Sequence, residues 1–93
     1  MPFAVVNHVR FEDADAAAIS TRDVVLPRLR ELPGFQQAIF LEDTDRVGGF
    51  SVMVVSTREQ ADELARRLRS GRVPAPNGIF FERRLVFEVV ASG

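Results

Sequence analysis

The sequence contains no cysteine, lysine, tryptophan or tyrosine, and only one histidine. Without thiols there is no disulfide, no thiolate nucleophile and no zinc–thiolate centre, which suits a reducing, cytoplasmic setting. One histidine leaves no visible metal-binding cluster, so neither a metal nor a cofactor is expected. Long hydrophobic runs are missing as well: no segment approaches the roughly 18 apolar residues that a membrane-spanning helix requires. The opening stretch MPFAVVNHVRF has no basic leader region, so no export signal is expected. Charge is balanced, with 12 basic residues, all arginine, against 13 acidic ones, a formal net charge of −1 and a pI near 5.8. That balance offers no electrostatic ground for nucleic acid or membrane as a partner. Gly48-Gly49 stands alone without a phosphate-cradling loop, and no G-x-S-x-G nucleophile elbow occurs.

What is present is the composition of a globular protein, 46% hydrophobic and 27% charged. With 93 residues there is material for one core, so a single domain over residues 1–93 is expected. Residues 3 to 11, FAVVNHVRF, are rich in β-branched and aromatic side chains and predict a strand. Phe3, Val5, Asn7, Val9 and Phe11 share one face, and Ala4, Val6, His8 and Arg10 the other. Asp13 and Asp15 suit a helix start, where carboxylates meet free N–H groups and the positive end of the dipole. Ala18, Val25, Leu29 and Leu32 follow at helical spacing, with Ile19 and Leu26 beside them. Pro27 lacks an N–H for the carbonyl of Asp23 and disfavours helical geometry at Leu26, so a kink or a second short helix is expected there.

The stretch ELPGFQQAIF turns the chain: Pro33 biases Leu32 away from the helix, Gly34 can take a positive φ, and Phe35 opens an extended run to Glu42. DTDRVGG has turn chemistry and FSVMVVS resumes as a strand, which predicts a hairpin. Thr57 with Gln60, or Ser56 with Glu59, can form a capping box, and Ala61, Leu64, Ala65 and Leu68 mark the buried side of a second helix. Arg66, Arg67 and Arg69 complement its negative end, Gly71 closes it, RVPAPNG is a loop, and residues 79 to 90 form the last strand.

Strand, helix, strand, repeated once, predicts a ferredoxin-like α+β fold: βαββαβ, a four-stranded antiparallel sheet with two helices on one face. The strands are apolar on both faces. Phe50, Val52 and Val54 oppose Met53 and Val55, and Ile79, Phe81, Leu85 and Phe87 are placed opposite Phe80, Val86 and Val90. Two helices cover only one side, and a bare sheet exceeds the few hundred Å² of apolar patch that a monomer tolerates. A second copy of the chain, joined through the sheet face, is the expected partner.

LPGF at 32 to 35, GGFSVMVVSTREQADEL at 48 to 64 and RLVFEVVA at 84 to 91 together resemble the antibiotic-biosynthesis-monooxygenase (ABM)-like domains of the dimeric α+β barrel superfamily. The resemblance implies a homodimer with its two sheets face to face, helices outside, and a small apolar pocket between sheet and helices in each subunit. It also implies a hydrophobic phenolic or polyketide-like ligand and oxidation without flavin or metal, or else heme degradation. The heme-degrading members carry a histidine on or near the second helix. Here the one histidine is His8, on the first strand, and heme is set aside.

By the same resemblance a polar Asn on the first strand marks Asn7 as a candidate catalytic residue. An amide on an apolar face needs partners and can orient a carbonyl or phenol, although a structural hydrogen bond across the sheet is the simpler role. His8 is a candidate general base, the one group here with an ordinary pKa near neutrality. Phe3, Val5, Phe50 and Val52 are the expected pocket walls. Arg66, Arg67, Arg69, Arg72, Arg83 and Arg84 suggest a phosphate site, but Asp62, Glu63, Glu82 and Glu88 beside them favour a solvated, salt-bridged surface. Glu82, Arg84 and Glu88 are placed on one strand face. The alternative to an oxygenase is a non-catalytic dimeric module that binds a ligand or a protein, which the absence of Trp and Tyr favours. An RNA-recognition domain shares the element order, yet only Phe50 could stack a base.

Overall fold

The computed structural model describes residues 1–70 and 79–93; Gly71, Arg72 and the expected loop at 72–78 lie outside the described residues. Four strands, β1 (Phe3–Phe11), β2 (Phe35–Glu42), β3 (Gly48–Val55) and β4 (Ile79–Glu88), form one antiparallel sheet in the order β2-β3-β1-β4. The two crossovers carry the helices: α1 (Ala14–Ser20) and α2 (Leu26–Arg30) in the first, α3 (Arg58–Ser70) in the second. This is the βαββαβ ferredoxin-like fold, with both helical layers against the same sheet face.

The helix ends follow from side-chain chemistry. The Asp13 side chain accepts from the Ala16 N–H at 3.1 Å and caps α1. At α3 the capping box forms on Thr57 and Gln60 and not on Ser56 and Glu59: Thr57 N–H donates to Gln60 Oε1 at 3.1 Å, and Gln60 N–H donates to Thr57 Oγ1 at 3.2 Å. Gly34 has φ +77°, and a Cβ there would run into the Gln60 side-chain amide. The corner therefore needs glycine for conformation and for space. Its carbonyl accepts from both the N–H and the hydroxyl of Ser56, at 3.0 and 3.1 Å, which ties the β2 entry to the α3 entry.

The short second helix expected at Pro27 forms: α2 starts at Leu26 with Pro27 in its first turn, and a π-helical turn joins it to α1. Thr21–Val25 form a π-helical turn, Leu26 donates to the Thr21 carbonyl, and Leu26 keeps helical angles of −61° and −44°. The wide turn relieves the crowding that Pro27 would impose on an α-helix, because the ladder has already lengthened by one residue. That extra residue also rotates the preceding segment. The buried position in α1 is Ala17 and not Ala18, while Ile19 is exposed.

Val5, Met53 and Val55 on the inner sheet face meet Val25, Leu29, Ala61, Leu64, Ala65 and Leu68 from the helices, and together form the core. Burying a side chain such as Leu29 or Leu64 contributes about 1.5 to 3 kcal/mol. β4 departs from simple alternation. Its pairing with β1 shifts between His8 and Val9, where Glu82 is the extra residue of a β-bulge. Ile79 and Phe81 therefore pair with the inward Phe11 and Val9, whereas Leu85 and Phe87 pair with the outward Val6 and Ala4. The four residues expected on one β4 face are split between two. Glu82 and Arg84 are likewise separated: Glu82 joins His8 and Arg10 outside, and Arg84 joins Asn7 inside.

Candidate functional site

A cavity of about 280 Å³ lies between the inner sheet face and the helices. Val9, Phe11, Phe40, Met53 and Phe81 form its sheet side, and Ala14, Ala17, Thr21, Val25 and Leu68 its helix side. The small alanines of α1 are what leave the space open, since larger side chains there would fill it. Arg22 and Glu42 also line it, and both are engaged elsewhere, Arg22 with Asp23 at 3.1 Å and Glu42 with Arg46 at 3.1 Å. The uncharged polar walls are Thr21 and Ser51, set in an otherwise apolar surface.

Ser51 belongs to a buried polar chain. Asn7 is fully buried, donating from Nδ2 to Ser51 Oγ at 2.9 Å and accepting at Oδ1 from Arg84 Nε at 2.7 Å. The sheet order makes this possible by placing β1 between β3 and β4, with Asn7 opposite Ser51 on one side and Arg84 on the other. Because arginine can only donate, Asn7 Oδ1 must face Arg84 and its NH₂ must face Ser51. Arg84 also lies 4.7 Å over the ring of Phe81, a cavity wall. Burial, and to a lesser extent the nearby charge of Arg69, pulls the Arg84 pKa below arginine's ordinary value. Among the described residues no carboxylate pairs with Arg84.

His8 lies on the other side of the sheet. Its ring stacks on Phe50 at 4.7 Å with 16° between planes, and Nδ1 is 3.5 Å from Glu82, which also meets Arg10 at 3.6 Å. Asn7 and His8 are thus separated by the thickness of the sheet and cannot act on one small ligand within a subunit. Phe50 reaches the cavity only at its edge, its ring being stacked on His8 on the outer face, while Phe3 packs against the core, Val5 is at its centre, and Val52 is half-buried on the outer face with Val6 and Ile39 as strand partners. Ser51, Phe40, Phe81 and the α1 alanines were not among the site residues expected from the sequence, although Ala18 and Phe81 were read there as apolar face positions. Ser51 had a signal, as the one polar residue at an inward position of β3, but its pairing with Asn7 depends on strand order. Of the arginines on α3, Arg66 and Arg67 reach Glu63, whose pKa is lowered by those hydrogen bonds.

No protein-family model matches the sequence, and no curated protein matches it. Solved structures match in fold. One is SnoaB, a cofactor-independent oxygenase from Streptomyces nogalater, with TM-score 0.68 at 15% identity over 98% of this chain and 95% of that one. Rv0793 from Mycobacterium tuberculosis gives TM-score 0.64 at 18% identity, covering 99% and 98%. The ActVA-Orf6 monooxygenase of Streptomyces coelicolor, in complex with the ligand Nanaomycin D, gives 0.62 at 17%, covering 97% and 88%. The chain shares the α+β fold of these proteins along nearly its whole length. Among the described residues no helix is long and apolar enough to cross a membrane.

Proposed function

We propose that the protein binds a hydrophobic phenolic or polyketide-like ligand in the cavity beneath its helices and oxidises it with molecular oxygen, without a cofactor. The observation that carries this is the 280 Å³ apolar cavity with the Ser51 hydroxyl set in its sheet wall. The two oxygenases that share the fold support the choice of chemistry. The electron balance needs no further reagent: a methylene activated by a phenolic ring becomes a carbonyl, one oxygen atom of O₂ entering the product and the other leaving with the two hydrogens as water. Asn7 serves this reaction from behind, through Ser51, and His8 stands outside the cavity.

The active form is a homodimer closed through the outer sheet face. Ile39, Leu41, Phe50, Phe80, Leu85 and Phe87 stand there, each between 38 and 52% exposed in the single subunit. So many large side chains on one face exceed what a free monomer carries, and a second copy is self-complementary to them. A reducing, cytoplasmic location fits the absence of cysteine.

A second reading, ligand binding without turnover, is favoured by one observation: the described cavity walls include no histidine, and the chain has no tyrosine to serve as a general base. Oxygen consumption with a panel of hydroxylated naphthols and anthrones tests both readings. Uptake above the uncatalysed rate supports the oxygenase. Saturable binding of the same compounds with no uptake supports the binding module, and neither uptake nor binding sinks both.

A further inference from the structure

The two hydrogen bonds of the buried polar chain run in the same direction. Arg84 Nε–H donates to Asn7, and Asn7 Nδ2–H donates to Ser51 Oγ. The Ser51 oxygen is occupied as an acceptor by Asn7, and no acceptor among the described residues takes its hydroxyl hydrogen. Ser51 is 5% exposed and lines the cavity, so that hydrogen has the cavity as its remaining direction. A head-to-tail series of donors beginning on a cation is cooperative, because each bond polarises the next in a site of low dielectric. The Arg84 guanidinium, held over Phe81 and by Asn7, does not itself line the cavity, so the relay conveys its polarity to the uncharged hydroxyl of Ser51 in the sheet wall.

We infer that Ser51 is the polar anchor of the ligand, donating to an oxygen that the ligand presents as an anion, a phenolate or an enolate, with Arg84 and Asn7 as positioning residues behind it. This rests on the cavity being the ligand site, as proposed above, and adds the ionisation state in which the ligand is held. It also bears on the missing base. A site that favours the phenolate lowers the pKa of the bound phenol, so bulk water can take the proton and no histidine or tyrosine is needed inside. The electron-rich anion is the form of a phenol that gives up electrons to oxygen most readily.

The probes are 4-nitro-1-naphthol, whose ionisation is visible in its absorbance, and its methyl ether, which has the same shape and cannot ionise. In the wild-type protein the bound naphthol is expected to titrate at lower pH than the free compound. Ser51→Ala should weaken naphtholate binding by about tenfold to a hundredfold, the span of a hydrogen bond to a charged group. It should leave ether binding within about twofold. Arg84→Met, with the hydroxyl still present, should abolish the downward titration shift. A merely structural Arg84 would instead weaken both probes alike and leave the shift of what still binds. If Ser51→Ala holds both probes as the wild type does, or if the wild type binds naphthol only in its neutral form, the anchor is wrong while the cavity stands as a site. If the wild type binds neither the naphthol nor the ether, the cavity proposal fails and the anchor falls with it.

Discussion

Asn7 and Arg84, 77 positions apart in sequence, are joined by a 2.7 Å hydrogen bond from Arg84 Nε to Asn7 Oδ1 across the β1–β4 pair. Asn7 is fully buried, and it satisfies Arg84 with its oxygen and Ser51 with its amide hydrogens. Asn7→Leu removes a partner from each neighbour and is expected to lower stability by about 1 to 3 kcal/mol, the cost of leaving buried polar groups unpaired. The urea midpoint of the variant measures this. An unchanged midpoint would mean that water replaces the amide and that the relay is not held by the fold.

Gly34 meets Gln60, and that contact makes a second expectation quantitative. Gly34→Ala should cost about 1 to 2 kcal/mol for the left-handed backbone, and more because the new Cβ strikes the Gln60 amide. In a double-mutant cycle with Gln60→Ala the pair should be less harmful than the sum of the singles by at least about 0.5 kcal/mol. Strict additivity would show that the backbone term alone acts.

On the outer face, Leu85→Glu combined with Phe87→Glu places charge where the proposed dimer closes. Both side chains are partly exposed in the subunit, at 38 and 49%, and neither belongs to its core, so circular dichroism should be unchanged. Sedimentation of the wild type should give a dimer and the double variant a monomer. A monomeric wild type at micromolar concentration would sink the homodimer.

Glu63 gives a pH dependence. Its pKa is lowered in the folded chain by hydrogen bonds from Arg66 and then Arg67. A carboxylate whose folded pKa is depressed contributes stability that is fully present above its unfolded value, 4.5, and is lost as pH falls through the lower folded value. Glu63→Gln should therefore be less stable than wild type at pH 7, by a small margin because the pair is exposed, and equal to it near pH 2. Urea midpoints at the two pH values measure it, and an equal gap at both would assign the effect to packing.

Much of the fold was legible in local chemistry. β1 and β2 run over the predicted residues, β3 starts two residues earlier, at Gly48 and not Phe50, and β4 ends at Glu88, two residues short of the expected end. The inward residues of α3 are those at the i, i+3, i+4, i+7 positions. Of the two outcomes that Pro27 allowed, the short second helix is the one that forms, and only the π turn before it had no distinct local signature. The faces of β4 were misassigned because strict alternation cannot register a bulge, and the extra residue at Glu82 arises from pairing with His8 and Val9 of β1, far away in sequence.

The candidate site was legible only in part. Asn7 was visible as an amide on an apolar face, and it does hydrogen-bond across the sheet, to Ser51 and Arg84. Its partners were not visible, nor was the placement of His8 beside Phe50 and Glu82.

Alternation, capping chemistry and the need for glycine at position 34 act over a few neighbouring residues, so the sequence by itself determined the elements and their order. It also determined that the sheet is apolar on both faces. Which strands are neighbours, where β4 bulges, and which polar groups meet behind the cavity were decided by tertiary structure. Those outcomes depend on chain segments tens of residues apart satisfying one another's hydrogen bonds within a single packed sheet, and no local pattern encodes that.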